Sequence, residues 1–220
     1  MSERESRDQQ GICHISECSH RRVNVVFDLG GVVVAWKPDE IVARTFTDPD
    51  HRALVKREII GHLDWLALDR GTMSYDEAIT RGAQRTGLPE PVVRSFLESV
   101  PSSLVADAQI VDLLHQVKAA GNSLYCLSNM PTISMEHLER AYSFWHVFTA
   151  VVVSSRVGLC KPEPEIYAHL LETHLLRASD TIFIDDTVAN IEAAARFGMR
   201  TIHFRGAAQC ETELRLIGAI

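Results

Sequence analysis

Asp28, Ser128, Lys161, Asp185 and Asp186 carry groups that do chemistry, and each sits at or just beyond the end of an apolar run. Asp28 ends the run Val23-Asn24-Val25-Val26-Phe27 and is followed by Gly30-Gly31. Ser128 and Asn129 end Leu124-Tyr125-Cys126-Leu127; Lys161 follows a run at 147–153; Asp185-Asp186 end Thr181-Ile182-Phe183-Ile184. A carboxylate can attack an electrophilic centre and form a covalent intermediate. Three carboxylates drawn together repel one another and call for a cation, and an oxygen-only donor set suits Mg²⁺. Such an ion polarises a phosphoryl group and neutralises charge on its oxygens. A lysine can hold both a nucleophilic carboxylate and a phosphoryl group, and a serine can donate to a phosphoryl oxygen. Taken singly, these residues have structural explanations as helix caps or helix entries. Taken together, at successive strand ends, they specify a site.

The elements that must position them follow from periodicity. The short β-branched and apolar runs at 23–27, 124–127, 147–153, 181–184 and 201–204 predict strands. Between them, residues 107–120 show helical spacing (Ile110, Leu113, Leu114, Val117) stopped by Gly121. Residues 162–173 open on a proline, and the Ala-rich stretch 188–197 is closed by Gly198. Alternating apolar strands and helices predict an α/β fold, a doubly wound parallel sheet with helices on both faces. Ligands of such sheets bind outside the carboxyl ends of the strands. Between Trp36 and about Leu104 the strand signal disappears and helical patterns appear, among them 75–86 and 90–98. That block is too long for a simple crossover and reads as an inserted helical subdomain. The expected division is a flexible leader at 1–21, a core formed by 22–35 and 105–220, and the helical insert at 36–104.

Bulk properties narrow the function classes. The chain is 46% hydrophobic and 23% charged, as expected of a globular protein. Its net charge of -7 and lack of a long Lys/Arg run argue against nucleic acid and anionic membrane surfaces as partners. No apolar run approaches the ~20 residues that span a bilayer. The polar N-terminus shows no secretory signal. Five scattered cysteines fit a reducing cytoplasm better than a disulfide framework. Cys13, His14, Cys18 and His20 do not have paired structural-zinc spacing and read as part of a mobile tail.

With these motifs in place, the sequence resembles the haloacid dehalogenase-like (HAD) hydrolase superfamily. The resemblance rests on Phe27-Asp28-Leu29-Gly30-Gly31-Val32, Leu127-Ser128-Asn129, Lys161-Pro162-Glu163-Pro164 and Phe183-Ile184-Asp185-Asp186. They occur in the family's order from about 23 to 204. The similarity is greatest to the branch of small sugar-phosphate phosphatases that includes α-glucose-1-phosphate phosphatase. It implies a Rossmann-like core, with the helical block as a cap subdomain placed after the first motif. It also implies a Mg²⁺-dependent phosphatase acting on a small phosphorylated metabolite such as a sugar phosphate, cytoplasmic, as a monomer or homodimer. Asp28 is then nucleophile and metal ligand, the Gly30 carbonyl and Asp186 are further metal ligands, and Asp185 acts nearby through water or Lys161. Ser128 is catalytic, with Gly31 and Asn129 binding the transferring group.

One departure bears on mechanism. Many family phosphatases place a second Asp two residues after the nucleophile as general acid and base; here that position is Gly30. Three readings stay open: a leaving group that needs no proton donor, such as an anomeric sugar oxygen; a substitute from the cap, with His62, Asp64 or Asp69 as candidates; or a metal-independent 2-haloacid dehalogenase. The acidic pair favours the phosphatase. A family-like scaffold that binds a partner without catalysis is a further alternative. In the cap, Trp36, His62, Trp65, Asp69, Arg70 and Tyr75 are candidate pocket residues, with Arg70 placed to reach a phosphate or sugar.

Overall fold

The computed structural model describes residues 22–220. The leader and its Cys/His group therefore lie outside the described residues. Chain order is β1 (Asn24–Phe27), then five helices, α1 (Pro38–Thr45), α2 (Pro49–Val55), α3 (Leu63–Arg70), α4 (Tyr75–Thr86) and α5 (Glu90–Ser103). A π-helical turn, Lys56–Ile60, joins α2 towards α3. There follow α6 (Ala108–Ala119), β2 (Ser123–Ser128), α7 (Thr132–Ala141), β3 (Phe148–Val153), α8 (Ser154–Val157), α9 (Pro164–Thr173), β4 (Thr181–Asp185), α10 (Val188–Arg196), β5 (Arg200–His203) and α11 (Ala207–Ile217).

The strands form one parallel sheet in the order β3-β2-β1-β4-β5. Its two faces can be read from alternate residues. Val25 and Phe27 of β1, Leu124 and Cys126 of β2 and Ile182 and Ile184 of β4 join one buried cluster with Ile110, Leu113, Leu114 and Val117 of α6 and Leu138 of α7. Val26, Tyr125, Leu127 and Phe183 belong to a second cluster with Ile166, Tyr167 and Leu170 of α9 and Ala193 and Ala194 of α10. Strands covered on both faces need continuous apolar runs rather than alternating ones, which is why these segments read so clearly in the sequence. Each fully buried Val, Leu, Ile or Phe contributes about 1.5–3 kcal/mol, so the sheet ends are rigid mounts.

The insert has its own apolar centre. Ile41, Val42, Val55, Leu68, Ile79, Val93, Phe96, Leu97 and Val100 bury one another across α1–α5. Ser74 caps α4 by accepting from the Glu77 amide, and Asp107 caps α6 by accepting from the Gln109 amide.

Several details differ from the sequence expectation. The helix after Lys161 begins at Pro164, because Glu163, which precedes that proline, is held extended (φ −62°, ψ 137°). α5 runs on past Glu98 to Ser103. α7 and α11 have no counterpart in the expected elements; they bury Met135 with Leu138, and Cys210 with Leu214. Cys126, Cys160 and Cys210 are free and buried. No helix among the described residues is long and apolar enough to cross a membrane.

Candidate active site

All the reactive strand ends meet at one edge of the sheet. The Asp28 amide donates to the Ile184 carbonyl at 2.9 Å, which continues the β1–β4 ladder by one residue and fixes where the carboxylate emerges. Asp28 Oδ1 accepts from its neighbour's amide, Leu29 N, at 2.7 Å and lies 2.8 Å from Lys161 Nζ. Both contacts fall on Oδ1, so Oδ2 carries no hydrogen bond among the described residues. Lys161 Nζ also donates to Asp185 Oδ2 at 2.7 Å and sits 5.6 Å from the Phe183 ring centre. Its side chain is only 1% exposed.

Lys161 is held through its backbone as well. Its amide donates to Asn129 Oδ1, and the Asn129 Nδ2 group donates back to its carbonyl, both at 2.8 Å. Asn129 lines the central cavity, yet both ends of its amide are engaged by Lys161. Its observed contact is to the loop that carries the lysine.

The two acids after β4 differ sharply. Asp185 is fully buried. Besides Lys161, it accepts from the Thr187 amide at 2.8 Å and from Asn190 Nδ2 at 3.0 and 3.1 Å. Asp186 is exposed, and its carboxylate accepts from Thr187 Oγ1 at 3.3 Å. Asp28, Asp185 and Asp186 can each offer an oxygen so that all three lie within 4.8 Å of one another. Burial raises the Asp28 carboxyl above its usual range, Lys161 opposes this, and the charges of Asp185 and Asp186 add to it. Burial and Asp185 likewise raise Asp186. Burial alone would lower the Lys161 ammonium, but Asp28 and Asp185 together hold it above its ordinary value. One lysine against three acids leaves net negative charge, and a divalent cation relieves it.

Two further features suit a bound anion and a bound cation. Ser128 Oγ at the end of β2 is fully buried, not on the cavity lining, with no hydrogen-bond partner among the described residues, a costly state that a phosphoryl oxygen brought within reach would relieve. Gly31 has φ +79°, and a Cβ there would lie 2.2 Å from Asp186 Oδ2. The glycine thus gives the Asp186 carboxylate its room.

The cavity beside these residues has a volume of about 250 Å³. Asp28, Gly30, Lys161, Asp186, Thr187 and Asn190 form its polar floor. Trp36, Trp65, Val100, Leu104, Met130 and Pro131 form an apolar wall, and Asp69 and Ser134 are polar points on that side. Trp36 and Trp65 pack with ring centres 5.6 Å apart.

The insert candidates separate clearly. Trp36, Trp65 and Asp69 line the cavity. Arg70, expected at the substrate, does not line it: its guanidinium pairs with both oxygens of Glu163, 2.8 Å to Oε2, and reaches the Gly158 carbonyl at 3.4 Å. The carboxylate that neutralises it comes from the Lys161-Pro162-Glu163-Pro164 motif. His62 caps α3, its Nδ1 accepting from the Asp64 amide at 3.1 Å. Asp64 pairs with Arg85 at 2.5 Å and Arg81 at 3.6 Å. Burial works to raise the Asp64 carboxyl, but the Arg85 bond and the charges of Arg85, His62 and Arg81 lower it on balance. Neither His62 nor Asp64 lines the cavity. Tyr75 borders a separate depression with Gly71, Met73 and Pro131.

Thr187 and Asn190 escaped the sequence reading, although they lie two and five residues after Asp185, within reach across the first turn of α10. Ser154 escaped it too. Its hydroxyl donates to the Asp69 carbonyl and accepts from the Met130 amide at 2.8 Å, and a contact across 85 residues leaves no local signal.

Residues 24–198 match the model of the haloacid dehalogenase-like hydrolases. A sesquiterpene phosphatase of Aspergillus oryzae is 29% identical over 194 residues, covering 88% of this chain and 95% of the relative. A D-ribitol-5-phosphate phosphatase of Bacteroides thetaiotaomicron is 23% identical over 210 residues, covering 88% and 97%. Among solved structures, a HAD family enzyme of Bacteroides thetaiotaomicron, in complex with magnesium and inorganic phosphate, superimposes with a TM-score of 0.65 at 20% identity, over 84% of this chain and 95% of that one.

Proposed function

This chain belongs to the haloacid dehalogenase-like hydrolase family, and on that premise we propose that it is a Mg²⁺-dependent phosphatase that transfers the phosphoryl group of a small monoester to Asp28. The observation that carries this reading is the convergence of Asp28, Lys161, Asp185 and Asp186 with the orphaned Ser128 hydroxyl at one sheet edge.

The roles follow from the contacts. Asp28 and Asp186, with the Gly30 carbonyl, would hold the ion. The chemistry a bound Mg²⁺ supplies is neutralisation of phosphoryl charge. Lys161 turns Asp28 Oδ1 towards itself, so Oδ2 is the oxygen left to attack phosphorus. Ser128 Oγ donates to a phosphoryl oxygen. Asp185, bonded to Lys161, Thr187 and Asn190, orients the lysine. Asn129 fixes the loop that delivers it. Arg70 ties the end of α3 to the core through Glu163 and Gly158 rather than meeting the substrate.

For the alcohol portion we favour an apolar body. The wall of Trp36, Trp65, Val100, Leu104 and Met130 offers burial and little hydrogen bonding, and the similar Aspergillus oryzae protein is a sesquiterpene phosphatase. A sugar or polyol phosphate is the second reading. Asp69, Ser134 and Asn190 could meet its hydroxyls, and the similar Bacteroides thetaiotaomicron protein acts on D-ribitol 5-phosphate by its name.

Phosphate release from a prenyl monophosphate, a sugar 1-phosphate, ribitol 5-phosphate and glycerol phosphate, each with Mg²⁺ and with EDTA, tests both levels. The expected result is release that EDTA abolishes, with kcat/KM highest on the prenyl ester. Halide release from a 2-haloacid in EDTA, with no phosphate released from any ester, would overturn the phosphatase reading.

A further inference from the structure

We propose that Asp69 is the proton donor and acceptor of this site, standing in for the carboxyl that the first motif lacks at Gly30. The inference rests on the phosphatase reading and adds the residue that reading leaves unfilled.

Four titratable side chains line the cavity: Asp28, Asp69, Lys161 and Asp186. Asp28 and Asp186 belong to the cation cluster. Lys161 is paired with Asp28 and Asp185 and buried, so its proton is committed. Asp69 alone stands outside the cluster. It comes from α3 of the insert, whereas the nucleophile comes from the strand ends. In an in-line displacement the leaving oxygen departs on the side away from the attacking one, and the insert lines the same cavity as the strand-end residues, through Trp36, Trp65, Asp69, Val100 and Leu104. His62 and Asp64, the other insert candidates, are held away by the α3 cap and the Arg85 pair.

Asp69 is also firmly mounted. Ser154 Oγ donates to its backbone carbonyl. The next residue, Arg70, is tied to Glu163 and Gly158. Gly71, at φ +75°, seats the helix end directly on α8, where a Cβ would meet the Ser155 carbonyl oxygen at 2.5 Å. Three successive residues thus dock the end of α3 onto the core, which is the rigidity a proton-transfer group needs. Burial, and after it the charge of Asp28, push the Asp69 carboxyl up to about 7, with Lys161 acting against them. Cys160 and Tyr75 are the other titratable groups whose environments include it. A carboxyl poised near neutrality can both give and take a proton.

In the first step Asp28 Oδ2 bonds to phosphorus, the bond from phosphorus to the ester oxygen breaks, and that oxygen takes the Asp69 proton and leaves as the alcohol. In the second, water attacks phosphorus and gives a proton to the Asp69 carboxylate. The bond from Asp28 to phosphorus breaks, and inorganic phosphate leaves with both acids restored.

The test is rapid-quench kinetics of the full chain with Mg²⁺ on two probes, hexyl phosphate and p-nitrophenyl phosphate. The alkoxide of the first must be protonated as it leaves; the second leaves as a stable phenolate. Asp69→Asn is expected to slow the first turnover of hexyl phosphate by about 10²–10⁴-fold, and p-nitrophenol release by less than about tenfold. Asp69→Glu is expected to recover part of the hexyl phosphate rate. Equal losses on both probes without recovery in Asp69→Glu, or no loss on either, would overturn the assignment of Asp69. A wild-type protein inactive on both probes would contradict the phosphatase reading instead.

Discussion

Gly31 shows how narrowly the site is built at the scale of single residues. A methyl group there would collide with the Asp186 carboxylate, and φ +79° disfavours any side chain. Gly31→Ala is expected to cost about 1 kcal/mol of stability through backbone strain. Its larger effect is on metal: displaced Asp186 raises the Mg²⁺ concentration for half-maximal activity by about 10–100-fold, a loss comparable to that of a supporting ligand contact. A titration of activity against Mg²⁺ checks this, and an unchanged midpoint would remove Asp186 from the metal site. That these residues gather at strand ends was legible in the sequence, because Asp28, Ser128 and Asp185-Asp186 each end a short apolar, β-branched run. Their supports were not. Asn190 holds Asp185 through ordinary hydrogen bonds from its Nδ2, and the Asn129 amide grips the Lys161 backbone. Nothing in either residue type announces such a duty.

Arg70 and Glu163 belong to the scale of elements, since they join α3 of the insert to the loop before α9. An arginine beside a glycine in a cap suits anion binding, yet Arg70 has a carboxylate partner 93 residues away. Long-range pairing of that kind has no periodicity and cannot be read from spacing. The pair is partly exposed, at 25% and 37% of the side chains, so its stability contribution is at most about 1 kcal/mol. Its expected functional effect is positional. Arg70→Met and Glu163→Gln are each expected to lower kcat on hexyl phosphate severalfold, and the double variant to be little worse than either single one, as for residues acting as a unit. Steady-state kinetics of the three variants check this. An Arg70 that bound substrate would behave otherwise: Arg70→Met would raise KM strongly while Glu163→Gln left it unchanged.

At the scale of the whole molecule, sheet and insert each have their own apolar clusters, and the cavity lies where they meet. The order of strands and helices was readable because strands buried on both faces are uniformly apolar. The division of labour between the halves was less so. The strand ends and the loops after them bring Asp28, Lys161 and Asp186 to the cavity, and the insert adds Trp36, Trp65, Val100 and Asp69 to its lining, an arrangement that follows from packing rather than from any motif. On the proposed reading, a chain with a net charge of -7 would meet an anionic ester with one lysine and a cation at a single point, so bulk charge is no guide to its substrate. The covalent step at Asp28 is the most direct point of test. Wild-type protein and Asp28→Asn, with Mg²⁺ and p-nitrophenyl phosphate, can be quenched in acid during turnover and their peptides analysed by mass spectrometry. The expected result is phosphate on the peptide carrying Asp28 in the wild type, with no adduct and at least about 10³-fold slower turnover in Asp28→Asn. Turnover of Asp28→Asn at the wild-type rate, or phosphate found on a different residue, would contradict it.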